Sequence, residues 1–193
     1  MSIAERVLIE NAEVISETSL SSLSAAKGVI TISEPISSET AVKFALLLKH
    51  LAEEEKDITI LIDCPGGEVN AGLVMYDLIQ SYPYEVDMYC IGLAASMAAL
   101  LLAGGRKGRR FILPHGQVMI HEPLIAGGFG GSATAIEKKS RNILEIKSAL
   151  NRILANHTGK TLKAIDKATS FDNYMSAEKA VEFGICDAVR SIY

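Results

Sequence analysis

Two hydrophobic rhythms alternate along this chain. Short unbroken apolar runs occur at Gly28–Ser33 (GVITIS), Ile58–Asp63 (ITILID) and Val86–Ile91. Runs of that length predict strands, and the β-branched run Ile58–Asp63 has the look of a buried one. Between them the apolar positions recur every three or four residues. Ala41, Phe44, Ala45, Leu48, Leu51 and Ala52 form one such stripe, which predicts a helix capped by Ser37 or Ser38 and running to about Glu54. A second helix is predicted over Val69–Gln80, after the break at Pro65-Gly66-Gly67, and a third over Ala95–Ala103. Phe111–Leu113 and Gln117–Ile120 predict short strands around Pro114-His115-Gly116.

A longer helix is predicted next, opened by a Thr134-x-x-Glu137 capping box and closed by Gly159. Its stripe includes Ile136, Ile143, Ile146, Leu150, Ile153 and Leu154, and four glycines in Gly127–Gly131 precede it. A last helix is predicted over Ser176–Phe183, with Gly184 behind it and a terminal strand near Cys186–Val189. Residues 1–27 carry the weakest pattern. Six of the nine residues from Ser16 to Ser24 are Ser or Thr, which predicts a mobile or weakly helical segment. From residue 28 to 193 the alternation of strand and helix predicts one α/β domain with a largely parallel sheet.

Composition narrows the function. A length of 193 residues suits one compact domain. Nineteen basic against twenty-three acidic residues give a net charge of −4, which argues against a nucleic-acid footprint. Cys64, Cys90 and Cys186 are widely spaced and form no CxxC pair or metal pattern, so reduced thiols, a cytoplasmic setting and no metal are expected. The start, MSIAERVLIENAEV, shows no apolar signal-peptide core, and the longest apolar stretch, Ile91–Ala103, is too short to span a bilayer. That stretch is expected to be a buried helix. The turn Arg106-Lys107-Gly108-Arg109-Arg110 reads as a solvated loop.

Three places carry candidate chemistry. Pro65-Gly66-Gly67 lies between a strand and a helix, where backbone N–H groups turn toward an anion without a Cβ in the way. Ser96 lies at another strand-to-helix junction, flanked at two residues' distance by the small Ala94 and Ala98. It reads either as a helix cap or as a nucleophile on a sharp turn. His121 ends the apolar run Val118-Met119-Ile120, where a side chain faces a cleft, and reads either as a structural histidine or as a base. Spacing does not choose an orienting acid among the seven aspartates.

Read together, the segments resemble the Clp protease proteolytic-subunit family, ClpP. The resemblance rests on Asp63-Cys64-Pro65-Gly66-Gly67 with Ala71-Gly72 and Tyr76-Asp77, then on Gly92-Leu93-Ala94-Ala95-Ser96-Met97-Ala98. It continues through Leu113-Pro114, Val118-Met119-Ile120-His121-Glu122-Pro123, Leu154-Ala155-Asn156-His157-Thr158-Gly159 and Asp172-Asn173-Tyr174-Met175-Ser176-Ala177-Glu178. It implies a serine endopeptidase with Ser96 as nucleophile, His121 as general base and Asp172 as the residue that orients the imidazole. The N–H groups of Gly67 and Met97 become the oxyanion hole. The implied fold is the crotonase-like α/β spiral with a protruding handle helix at about 132–159. The implied assembly is two heptameric rings in a tetradecamer that takes unfolded polypeptides from a AAA+ Clp ATPase, without a cofactor. Gly127–Gly131 is then expected at the base of the handle, beside bound peptide and the ring contact.

The chain departs from the family pattern at Asp63 and Cys64, where Asn and Ser are usual, and at Glu122, where Gln is usual. Thr59 and Leu61 replace aromatic residues common on the rim where the unfoldase docks, and residues 1–27 depart from the usual axial segment. The resemblance therefore points to a divergent paralogue. Two further readings remain: a non-catalytic structural subunit of a mixed ring, and an acyl-CoA hydratase or isomerase of the same fold.

Overall fold

The computed structural model describes residues 6–11, 14–124 and 131–192. The expected feature at Gly127–Gly131 lies outside the described residues apart from Gly131. An antiparallel hairpin, β1 (Arg6–Asn11) and β2 (Val14–Ser19), opens the chain. The short helix α1 (Leu20–Ala26) follows, with Ser19 Oγ accepting the Ser22 N–H at 3.0 Å. The Ser/Thr-rich stretch is thus divided between a strand end and a capped turn of helix.

The expected alternation follows. It runs through β3 (Val29–Ile32), α2 (Ser38–Glu53), β4 (Ile58–Cys64), α3 (Val69–Ser81), β5 (Val86–Ala95) and α4 (Met97–Ala103). Ser37 and Thr40 form a reciprocal capping box at the start of α2. Next come β6 (Arg110–Ile112), β7 (Gln117–Ile120), α5 (Ala133–Thr158), α6 (Leu162–Thr169), β8 (Asn173–Ser176), α7 (Ala177–Phe183) and β9 (Ala188–Val189). The chain has the mixed α/β architecture and parallel sheet expected for the ClpP fold.

Strands β3, β4, β5, β6 and β9 lie side by side in parallel. The long strand β5 is shared. Its first half pairs with β6 through Met88–Cys90, and its last three residues pair with β7 in the register Leu93↔Gln117 to Ala95↔Met119. Strand β8 then runs antiparallel to β7, from Gln117↔Ser176 to Ile120↔Asn173. Every residue of α4 is buried, and this helix packs against α3, α5 and strands β4, β5 and β7. The core around it is aliphatic, with Ile60, Ile62, Leu101, Leu102, Ile112 and Ile165 among its fully enclosed side chains.

Four local expectations change. The third helix starts at Met97, because pairing with β7 keeps the chain extended to Ala95, so the Ile91–Ala103 stretch is half strand and half helix. The cap of α5 is Ser132, whose Oγ accepts the Ala135 N–H, while Glu137 reaches down the helix to Arg141 at 2.8 Å. Helix α6 and strand β8 are not predicted by the hydrophobic pattern, being only eight and four residues long. The basic turn is not a free loop. Arg110 is 3% exposed; its Nε and one terminal nitrogen donate to Asp187 at 2.9 and 2.5 Å. The other terminal nitrogen donates to the carbonyls of Ala103, His157 and Gly184. Arg106 pairs with Glu85, and Arg109 with Glu85 and Asp87. These acids are distant in sequence, so local reading finds the cations without their partners.

Candidate active site

Register alone brings the site together. Ser96 directly follows Ala95, which is opposite Met119, and the Ser96 N–H donates to the Met119 carbonyl at 2.8 Å. His121 directly follows the end of β7. Asp172 directly precedes Asn173, the residue opposite Ile120. The ends of β5 and β7 and the start of β8 therefore place serine, histidine and aspartate along one edge of the sheet. Strand carboxyl ends are where open α/β sheets present their chemistry.

Ser96 does not cap α4. Its backbone has φ 55° and ψ −121°, a conformation costly for any residue with a Cβ, and its hydroxyl makes no capping bond. The Oγ lies 2.8 Å from His121 Nε2. His121 is largely enclosed, with a side chain 14% exposed. Its Nδ1 lies 3.2 Å from Asp172 Oδ1, but this oxygen stands off the N–H direction, and among the described residues Nδ1 has no aligned acceptor. The Asp172 side chain is 63% exposed.

The glycine corner packs directly on the serine turn. A Cβ on Gly66 would lie 2.6 Å from the Ala95 carbonyl oxygen and 2.7 Å from Ser96 Cβ, so nothing larger than glycine fits. A Cβ on Gly67 would lie 2.1 Å from the Ile36 carbonyl oxygen. The bonds Ile36 N–H to Gly66 O and Glu68 N–H to Ile36 O hold the corner, both at 2.8 Å, and do not use the Gly67 N–H. Met97 contributes the first N–H of α4, which has no carbonyl one turn back within the helix. Met97 thus directly follows the serine, and Gly67 follows the glycine that packs on it.

Three of the departures from the family pattern, Asp63, Cys64 and Glu122, have partners. Asp63 Oδ1 accepts the Leu93 N–H at 2.9 Å, as an amide oxygen would. The Cys64 thiol donates to the Glu34 carbonyl at 3.1 Å, and its sulfur accepts the Gly66 N–H at 3.3 Å. Glu122 pairs with Lys147 of α5 at 2.6 Å. A small apolar pocket opens beside Ser96 and His121, walled by Val69, Leu100, Ile120, Pro123, Leu150 and Leu154. Asn151, also on its wall, is 2% exposed and donates to Asp166 at 2.5 Å. Sequence reading missed Lys147 and Asn151, because each is recognisable only from the element packed across from it.

The other titratable groups stand outside this chemistry. All three cysteines are free and buried. Burial raises the thiols of Cys64 and Cys186 and pushes Cys90 up to about 11, so none is poised as a thiolate. His157 is tied to the Tyr76 hydroxyl at 2.8 Å. Among the described residues no group of three His, Cys, Asp or Glu side chains is placed to hold a metal. Among the same residues no helix is long and apolar enough to cross a membrane. The family model described as Clp protease matches residues 11–192.

Proposed function

This chain belongs to the Clp protease family, and from that premise we propose that it is a serine endopeptidase subunit whose nucleophile is Ser96. The observation that carries the reading is the uncapped Ser96 hydroxyl, held on a strained turn 2.8 Å from His121 Nε2. His121 takes the hydroxyl proton as Oγ attacks the scissile carbonyl. The N–H groups of Gly67 and Met97 stabilise the developing oxyanion. His121 then protonates the leaving amine, and water, deprotonated by the same imidazole, releases the acyl group. Asp172 stabilises the imidazolium electrostatically. The apolar pocket beside Ser96 receives a side chain of the peptide.

The same reading covers assembly. In the outer half of α5, Leu144 is 60% exposed and Ile136 37% exposed, although both are apolar. Paired handles in a double ring bury such residues. On the face of β4 opposite Ile60 and Ile62, Thr59 and Leu61 are half-buried. Leu61 is opposite Tyr89 in register, and the Tyr89 and Phe111 rings stand 4.8 Å apart. With Thr59 and Leu61 in place of aromatic residues, this subunit on its own docks a AAA+ ATPase weakly. It functions with a better-docking paralogue or a dedicated unfoldase.

The test is labelling with a fluorophosphonate together with a fluorogenic peptide assay. Wild type labels stoichiometrically and cleaves peptide. Ser96→Ala loses the label and loses cleavage by roughly 10³-fold or more, with its assembly unchanged. Wild-type cleavage by Ser96→Ala would exclude this serine as the nucleophile.

A further inference from the structure

The chain leaves the sheet immediately after Ile120, so the ladder of β7 no longer holds the backbone at His121. Two contacts take over at the next residue. The Glu122 N–H donates to the carbonyl of Thr169, at the end of α6, at 2.7 Å. The Glu122 carboxylate accepts from Lys147 Nζ, on α5, at 2.6 Å. These side chains are 41% and 27% exposed, so the pair is partly shielded from water. Lys147 lies one turn before Leu150 and Asn151, which wall the pocket beside Ser96 and His121. Asp172 does not lock the imidazole from the other side, since its oxygen stands off the Nδ1–H direction.

We propose that Glu122 and Lys147 are a positioning pair for His121, fastening the backbone beside the imidazole to the long helix so that Nε2 stays in reach of Ser96 Oγ. The proposal rests on the peptidase reading of Ser96 and His121. Neither side chain of the pair takes part in the chemistry. Their effect is on the fraction of molecules with the imidazole in place, so it falls on kcat and not on KM. A partly exposed ion pair contributes modestly and is weakened by salt.

The experiment compares wild type, Glu122→Leu, Lys147→Met and the exchanged pair Glu122→Lys/Lys147→Glu. Each single variant is expected to lose three- to ten-fold in kcat on a fluorogenic peptide, with KM within two-fold and an unchanged particle size by light scattering. The exchanged pair recovers at least half of the wild-type kcat, and raising the salt lowers kcat in wild type more than in Lys147→Met. Hydrogen exchange at the Glu122 amide gives a readout independent of catalysis: it accelerates in both single variants and slows again in the exchanged pair. Wild-type kcat in both single variants, or loss of activity only through loss of assembly, overturns the proposal. So does an exchanged pair no better than the worse single variant, or unchanged amide exchange. A wild type that fails to take the fluorophosphonate overturns the peptidase reading instead, and amide exchange then still decides whether the pair anchors this segment.

Discussion

His121 and Asp172 stand 3.2 Å apart, yet the aspartate oxygen lies off the imidazole N–H direction, whereas the contact of His121 with Ser96 is a close 2.8 Å. The two halves of the constellation are therefore unequal. Ser96 and His121 are held by the paired ends of β5 and β7, while Asp172 sits at the start of a four-residue strand with its side chain largely in solvent.

An exposed, poorly aligned carboxylate gives less help to an imidazolium than a buried and aligned one. Asp172→Asn is accordingly expected to lower kcat by about 10- to 100-fold, well short of the loss in Ser96→Ala. Steady-state kinetics of the two variants side by side checks this. An Asp172→Asn enzyme as dead as Ser96→Ala would mean that the aspartate aligns fully in the working state.

Stability should fall in mild acid through His157. Burial, reinforced by the Arg110 guanidinium, holds this imidazole below its usual value of 6.5. The unfolded chain, with a histidine near about 6.5, therefore takes up the proton first. The contribution is complete above that value and is lost as pH falls through the lowered folded one. The melting temperature of wild type is expected to drop between about pH 7 and pH 5. His157→Gln, which keeps an acceptor for Tyr76, is expected to lose less over the same interval. Parallel slopes for the two proteins would remove His157 as the cause.

The Arg110–Asp187 pair is the electrostatic hinge of the fold around β6. Burial alone would raise the Asp187 carboxyl, but hydrogen bonds and charge from Arg110 outweigh this and hold it below the ordinary range. Removing Asp187 leaves the guanidinium with backbone carbonyls and no counter-charge in a site where Arg110 is 3% exposed. Asp187→Ala is expected to destabilise the subunit by about 3–5 kcal/mol, measured as a shift in urea midpoint at constant slope.

Leu144 separates assembly from folding, because it is 60% exposed on the single chain and stands outside the core formed by the described residues. Leu144→Glu is expected to leave the melting of the subunit within about 0.5 kcal/mol of wild type. It should at least halve the particle mass seen by light scattering, since it places a carboxylate in an apolar contact between copies. A wild type that is monomeric at working concentration would contradict the double-ring reading outright.

The hydrophobic pattern alone determined which segments form the parallel sheet and its main helices. Runs such as Ile58–Asp63 are apolar enough to lie within a sheet, with Ile58, Ile60 and Ile62 buried on one face and Thr59 and Leu61 half-buried on the other, and the stripe from Ala41 to Leu51 forms the one buried side of a helix. Those are local, short-range constraints, and they hold whatever lies across from the segment. The residues Ser96 and His121 also stood out locally, Ser96 at a strand-to-helix junction within the longest apolar stretch and His121 at the end of an apolar run. Whether Ser96 was a cap or a free hydroxyl was not a local matter. That depended on the pairing of the end of β5 with β7, which sets the serine beside His121, where its hydroxyl meets the imidazole and makes no capping bond to α4. The choice of Asp172 among seven aspartates came first from the family resemblance, and its place beside His121 comes from the antiparallel register of β8 on β7. Arg110 with Asp187 and Glu122 with Lys147 were likewise visible as charges and not as pairs. A charge shows its sign along the chain, but its partner is chosen by which strands and helices come to lie together, and that is settled only when the whole sheet has closed over α4.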